Sequence, residues 1–117
     1  MAKYLKKYSE ERPWGKFEKF CQNKNCTVKI LFIKANGELS LQYHRHRDEF
    51  WKIIQGRPKI WLGNKIIEAK KNDEFFIPRK IKHKAKAGVR PVQILEISFG
   101  KFDENDEVRI EDKYKRI

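Results

Sequence analysis

GELSLQYHRHRDEFWKIIQG, from Gly37 to Gly56, decides the fold. Within it SLQYHRH (Ser40–His46) and EFWKIIQ (Glu49–Gln55) are each of strand length, and the charged pair Arg47–Asp48 between them suits the tip of a tight turn. Upstream, CTVKILFIKA (Cys26–Ala35) sets Val28, Ile30 and Phe32 against Lys29, Leu31 and Ile33, and Asn36–Gly37 ends it. Downstream, PKIWL (Pro58–Leu62) and KIIEA (Lys65–Ala69) flank Gly63–Asn64, a two-residue hairpin turn whose members both tolerate positive φ. EFFIP (Glu74–Pro78), KHKAKA (Lys82–Ala87) and VQILEISF (Val92–Phe99) follow. Eight short runs with no amphipathic helix between them predict an all-β chain, an antiparallel sandwich or barrel. A helical turn is expected only near Tyr4–Glu11 or in the acidic stretch Asp103–Glu107.

The chain has 117 residues, which sets one compact unit with one core, and its 39% apolar and 13% aromatic content can fill that core. No internal repeat or low-complexity linker divides it. Lys and Arg number 28 against 16 Asp and Glu, a net charge of +12 that draws in anions. The cations are spread along the whole chain without a basic block or an aromatic RNA-binding motif, which argues against a nucleic-acid specialist. MAKYLKKYSEERPWG lacks the apolar core of a signal peptide and no stretch is long enough for a membrane span, so the chain reads as soluble and cytoplasmic. Cys21 and Cys26, without a second cysteine pair, read as free buried thiols rather than a zinc knuckle or a disulfide.

His44 and His46, two apart in a strand pattern, are expected on one face, roughly 6–7 Å apart along the strand. That spacing suits two imidazoles converging on one metal. If the chain reverses at Arg47–Asp48, Glu49 begins the next strand and faces His46 across a hairpin. His83 follows the Pro78 turn, where a closed barrel brings it opposite the others. Three imidazoles and one carboxylate form a mixed N/O shell for one divalent ion, Zn, Mn, Co, Ni or Fe, and the ligand types alone do not select among them. Gln42 lies on the His44 face by parity, as a further ligand or a donor to a sugar oxygen. Phe50, Trp51, Phe75 and Phe76 read as barrel packing, and Trp14 as a pin holding the N-terminal segment to the barrel.

These residues resemble the cupins, and within them the type II phosphomannose isomerases, usually seen as the C-terminal domain of a fused mannose-1-phosphate guanylyltransferase. The resemblance covers nearly the whole chain. It rests on RPWG (Arg12–Gly15), Gly37–Gly56, FFIPRKIKH (Phe75–His83), LEISFG (Leu95–Gly100) and ENDEVRIEDKYKR (Glu104–Arg116). HRHRDE resembles the first cupin motif with a turn two residues shorter than the common form, an even deletion that keeps Glu49 on the histidine face. NDEFFIPRKIKH (Asn72–His83) resembles the second, with Asn72 and Lys80 where cupins usually carry glycine; asparagine accepts the left-handed region more readily than lysine. The family often has Arg directly after the second-motif His and Asn three residues on, where this chain has Lys84 and Ala87.

The resemblance implies a small antiparallel cupin, or jelly-roll, β-barrel as a single domain over 1–117, with an N-terminal arm at 1–25, a barrel core at 26–100 and a C-terminal tail at 101–117 packing on the barrel. It implies metal-dependent isomerisation of mannose 6-phosphate to fructose 6-phosphate by a cis-enediol proton transfer, with metal at His44, His46, Glu49 and His83. Glu49, Lys84 and Glu96 are the candidates for the base, and Arg12, Lys84 and Arg109 for the phosphate partners. No guanylyltransferase portion lies within these residues, so nucleotidyl transfer is not expected. The same shell also suits another cupin enzyme, an oxygenase or nucleotide-sugar epimerase, and a binding-only sugar-phosphate module. The sheet edges of so short a chain lead to the expectation of a homodimer.

Overall fold

The computed structural model describes residues 8–100 and 107–111, and the regular elements among them are all β-strands. β1 (Tyr8–Arg12) and β2 (Gly15–Lys19) form a hairpin of their own. β3 (Cys26–Ile33), β10 (Val92–Gly100), β5 (Arg47–Gln55) and β8 (Glu74–Ile77) make one antiparallel sheet in that order. β11 (Glu107–Glu111), β4 (Leu41–His44), β9 (His83–Lys86), β6 (Lys59–Leu62) and β7 (Lys65–Glu68) make a second. The all-β expectation holds. The helical turn expected near Tyr4–Glu11 does not form over 8–11, which belong to β1; 4–7 lie outside the described residues. The acidic stretch lies outside them up to 106, and Glu107 opens β11.

The core lies where the inner faces of the two large sheets meet. Trp51, Ile53, Ile77, Val92 and Ile94 come from the first sheet and Ile60 and Ala85 from the second, all buried in one cluster. Burial of each large side chain stabilises by about 1.5–3 kcal/mol. A smaller cluster, Phe50, Ile97 and Phe99, sits on the opposite face of β5 and β10, where Phe20, just past β2, covers it with ring centroids 5.3 Å apart. Lys52 ties the hairpin down as well, reaching Glu18 at 3.1 Å and Glu74 at 3.2 Å. Trp14 does not pin this segment: it stands 72% exposed at the hairpin turn, and Phe20 and Lys52 make the join.

Two local readings meet the structure in detail. At Gly63–Asn64 the hairpin closes with Leu62 opposite Lys65, and of the two turn residues only Gly63 takes a positive φ, +59°. Asn72 and Lys80 do adopt the left-handed region, at φ +76° and +71°. β3 is turned against simple hydropathy. Its apolar face points out, Val28 56% and Phe32 72% exposed, while Lys29 and Ile33 lie on the inward side. Lys29 takes that side because its ammonium meets the buried Glu96 at 3.7 Å.

Candidate metal centre

The end of the barrel where β4 stops and β5 starts gathers buried polar groups. Parity in β5 sends Arg47, Glu49 and Trp51 inward together, and parity in β4 does the same for Gln42 and His44. β9 begins with His83, whose backbone stands opposite Gln42. His44, Glu49 and His83 thus offer ligand atoms all within 4.8 Å of one another. His44 Nε2 lies 3.3 Å from Glu49 Oε2, and His83 Nε2 lies 3.7 Å from Glu49 Oε1.

The donor set fits a divalent ion. Glu49 is 1% exposed, and its Oε1 has no hydrogen-bond partner among the described residues, which is costly for a carboxylate oxygen kept from water. His83 Nδ1 sits 2.8 Å from the Ile81 carbonyl, so Nδ1–H donates there and the Nε2 lone pair is left facing Glu49. Trp51 meets the His83 ring edge-on at 5.5 Å between centroids and holds its plane. Burial pushes the Glu49 carboxyl up, against the opposing pull of Arg47.

His46 stands apart from this cluster. The expected strand ends at His44, so Arg45 and His46 form the bend and His46 is exposed. β4 and β5 lie in different sheets, so the bend is a corner between sheets and not a hairpin, and no cross-strand pair forms between His46 and Glu49. The turn falls two residues before Arg47–Asp48 because both of those side chains are buried and paired, on opposite faces of β5. Arg47 Nε donates to Glu49 Oε2 at 3.1 Å, and its Nη2 lies 3.5 Å from His44 Nε2. Asp48 accepts from the Arg79 backbone N–H at 2.7 Å and its guanidinium at 3.2 Å, strapping down the turn that leads to His83. Sequence reading missed Arg47 as part of the centre; its parity with Glu49 was the available signal.

The remaining candidates scatter. Glu96 is buried beside the centre, accepting from Trp51 Nε1 at 3.2 Å. Burial first, and the Glu49 charge second, push its carboxyl up to about 7. Gln42 is buried on the inner face and donates to the Ser40 carbonyl. Arg109 stands opposite Gln42 across β11 and β4, exposed. Lys84 follows His83 by one residue and therefore faces the other side of β9, held by Glu38 at 2.7 Å and over the Trp61 ring; it is not part of the centre. Arg12 is exposed in the β1–β2 hairpin, paired with Glu10 and lying over Phe17. Beside the corner, Tyr43, Arg45, His46, Arg79, Lys80 and Lys82 line an open pocket of about 720 Å³.

Residues 2–112 match the family described as mannose-6-phosphate isomerase C-terminal. Mannose-1-phosphate guanylyltransferase 2 of Escherichia coli O157:H7 is 32% identical over 116 residues, 97% of this chain and 24% of that protein. Xanthan biosynthesis protein XanB of Xanthomonas campestris pv. campestris (strain B100) is 33% identical over 107 residues, 90% of this chain and 23% of its own length. The chain thus spans about a quarter of the curated relatives it matches. Among solved structures, oxalate decarboxylase from Bacillus subtilis superposes with a TM-score of 0.68 at 18% identity, covering 74% of this chain and 24% of that one. The Cnp3 cupin domain of Schizosaccharomyces pombe gives 0.62 at 18% identity, over 85% of this chain and 66% of that one. At these identities the structural likeness shows the cupin fold alone.

Proposed function

The chain belongs to the mannose-6-phosphate isomerase C-terminal family, and from that premise we propose that it interconverts mannose 6-phosphate and fructose 6-phosphate at a divalent metal held by His44, Glu49 and His83. The observation that carries this reading is the convergence of those three buried ligands on one point, with Glu49 Oε1 otherwise unsatisfied. A bound ion supplies Lewis-acid stabilisation of negative charge developing on the sugar oxygens. Glu96 is the residue we assign to move the proton between C2 and C1, because its carboxyl is buried beside the centre against Trp51 and burial raises it from the ordinary carboxylate range. Glu49, committed to the metal, is not available for that task. Gln42 orients a sugar hydroxyl from the inner face. Arg45, Arg79, Lys80 and Lys82, with Arg109 across β4, supply the positive field for the phosphate. His46 stands at the rim of that pocket as a hydrogen-bonding group. Among the described residues no helix is long and apolar enough to cross a membrane, and this reading takes the chain as cytoplasmic and homodimeric.

The test is NMR of mannose 6-phosphate in deuterated water with the purified chain, run with Zn, Mn or Co and again with chelator. Conversion to fructose 6-phosphate, with deuterium entering at C2 only when metal is present, is the expected result. A folded, metal-loaded protein that exchanges nothing would overturn the isomerase reading and leave a binding module.

A further inference from the structure

The end of the barrel away from the metal centre is built differently, and we propose that it is a second ligand site, one that takes a small molecule carrying a diphosphate or an equivalent pair of phosphoryl groups. Three loops meet there: Gln55–Arg57 after β5, Lys70–Lys71 between β7 and β8, and Gly88–Pro91 between β9 and β10. They enclose a half-open cleft of about 740 Å³. Arg57, Lys70, Lys71 and Arg90 line it, and no carboxylate does.

Several cations elsewhere in the barrel are answered by acids. Lys29 meets Glu96, Lys52 meets Glu18 and Glu74, Arg79 meets Asp48 and Lys84 meets Glu38. In the cleft only Lys70 is so answered, by Asp73 at 3.5 Å. Arg57, Lys71 and Arg90 have no ion-pair partner among the described residues. Their mutual repulsion is weak while water screens it, and a multiply charged anion converts it into charge-assisted hydrogen bonds.

The loops that carry these side chains are fixed. Gly56 has φ +94°, and a Cβ there would lie 2.7 Å from the Pro91 carbonyl, so glycine is what lets the first loop close on the third. The root of the third loop is tied by Asn36 N–H to Gly88 O and Ala87 N–H to Gly37 O, both 2.8 Å. The second is a turn closed by Lys70 N–H on the Asp73 carboxylate at 2.9 Å and by Asp73 N–H on the Lys70 carbonyl at 3.0 Å. A fixed backbone bearing long cationic side chains lowers the ordering cost of anion binding.

Size and charge select the ligand class. The volume lies in the range of small-molecule sites, roughly 300–1,000 Å³, and well above the needs of one phosphate. Three unanswered positive charges match a diphosphate at neutral pH, and Val89 with Pro91 offers an apolar wall to an uncharged remainder. Loops on three sides favour a compact ligand over a polymer strand. β5 runs from Glu49 in the metal centre to Gln55 in the cleft, six residues or about 20 Å away. The two sites share no residue, and this inference stands whether or not the isomerase reading does.

The experiment is calorimetric titration of metal-free protein with pyrophosphate and with ADP at constant ionic strength, together with 15N NMR of the same additions. Arg57→Gln/Lys71→Gln/Arg90→Gln is compared with Lys19→Gln/Lys24→Gln/Lys65→Gln, which removes equal charge from lysines that do not line the cleft. The cleft triple is expected to weaken pyrophosphate binding about tenfold or more, the control triple far less, with Gly56 and Gly88 amides shifting in the parent protein. Equal loss in both triples would overturn the site in favour of a diffuse field. So would failure of the parent to bind either probe, or an oligonucleotide binding more tightly than pyrophosphate and losing that binding in the cleft triple.

Discussion

The two ends of β5 lie in opposite environments. At Arg47–Asp48–Glu49 three consecutive charges are buried, and each is met by another: Arg47 by Glu49, Asp48 by Arg79, Glu49 by two imidazoles. At Gln55–Gly56–Arg57 the chain is open to water, and Arg57, Lys71 and Arg90 have no ion-pair partner among the described residues. Removing ionised groups from water costs several kcal/mol per ion, so the buried end must carry its own counter-charges and fixes its geometry before any ligand arrives. The exposed end is screened, and a ligand supplies the counter-charge there.

His83→Ala breaks the buried end most completely. It should abolish stoichiometric divalent-metal binding, a larger effect than the roughly 10–100-fold cost of outer-shell changes, checked by metal content after gel filtration. A retained one-to-one ion would remove the centre. His46→Ala sharpens the same contrast and should keep its metal; a loss equal to that of His83→Ala would bring the corner into the ligand shell.

Arg47→Leu leaves Glu49 buried without its cation. The metal-free protein should lose about 3 kcal/mol of unfolding free energy, and added divalent ion should restore most of it, both read by denaturant titration. Equal loss with and without metal would show that Arg47 and the ion do not answer the same carboxylate.

Glu96 gives the pH dependence. Its folded form keeps a proton up to about 7, whereas the unfolded chain releases it in the ordinary carboxylate range. The folded state therefore binds more protons between those limits, and stability contributed by the neutral carboxyl is full at low pH and lost as pH rises through about 7. Metal-free protein should lose on the order of 2 kcal/mol from this group between pH 5 and 8. Glu96→Gln should flatten that slope; an unchanged slope would assign it to other groups. The smallest effect belongs to Lys80→Gly, which relieves a left-handed lysine and should stabilise by about 0.5–1 kcal/mol; destabilisation would mean that the lysine stem packs there.

The strands were legible because period-two alternation is local; the left-handed turn at Asn72 suits asparagine, while that at Lys80 goes against the lower tolerance of lysine for positive φ. His44, Glu49 and His83 were legible through the resemblance of HRHRDE and NDEFFIPRKIKH to the two cupin motifs, not through the hairpin expected at Arg47–Asp48, which does not form. The corner at Arg45–His46 was not, since a strand pattern does not say whether the next strand pairs with it or joins another sheet. Nor was the outward apolar face of β3, because Lys29 turns inward to meet Glu96, far along the chain. Lys84 was misjudged although parity spoke against it: the residue after an inward histidine must face out.

The outer face of β3 has a last consequence, for the behaviour of concentrated solutions. Val28, Ile30 and Phe32 lie beside a strand edge that no described strand covers, an adhesive strip on a particle of charge +12. Like-charge repulsion between particles weakens with added electrolyte, since the screening length falls from about 30 Å at 0.01 M to about 10 Å at 0.1 M. Salt should therefore drive clustering rather than prevent it, and light scattering should rise with ionic strength until Phe32 is replaced by a polar residue.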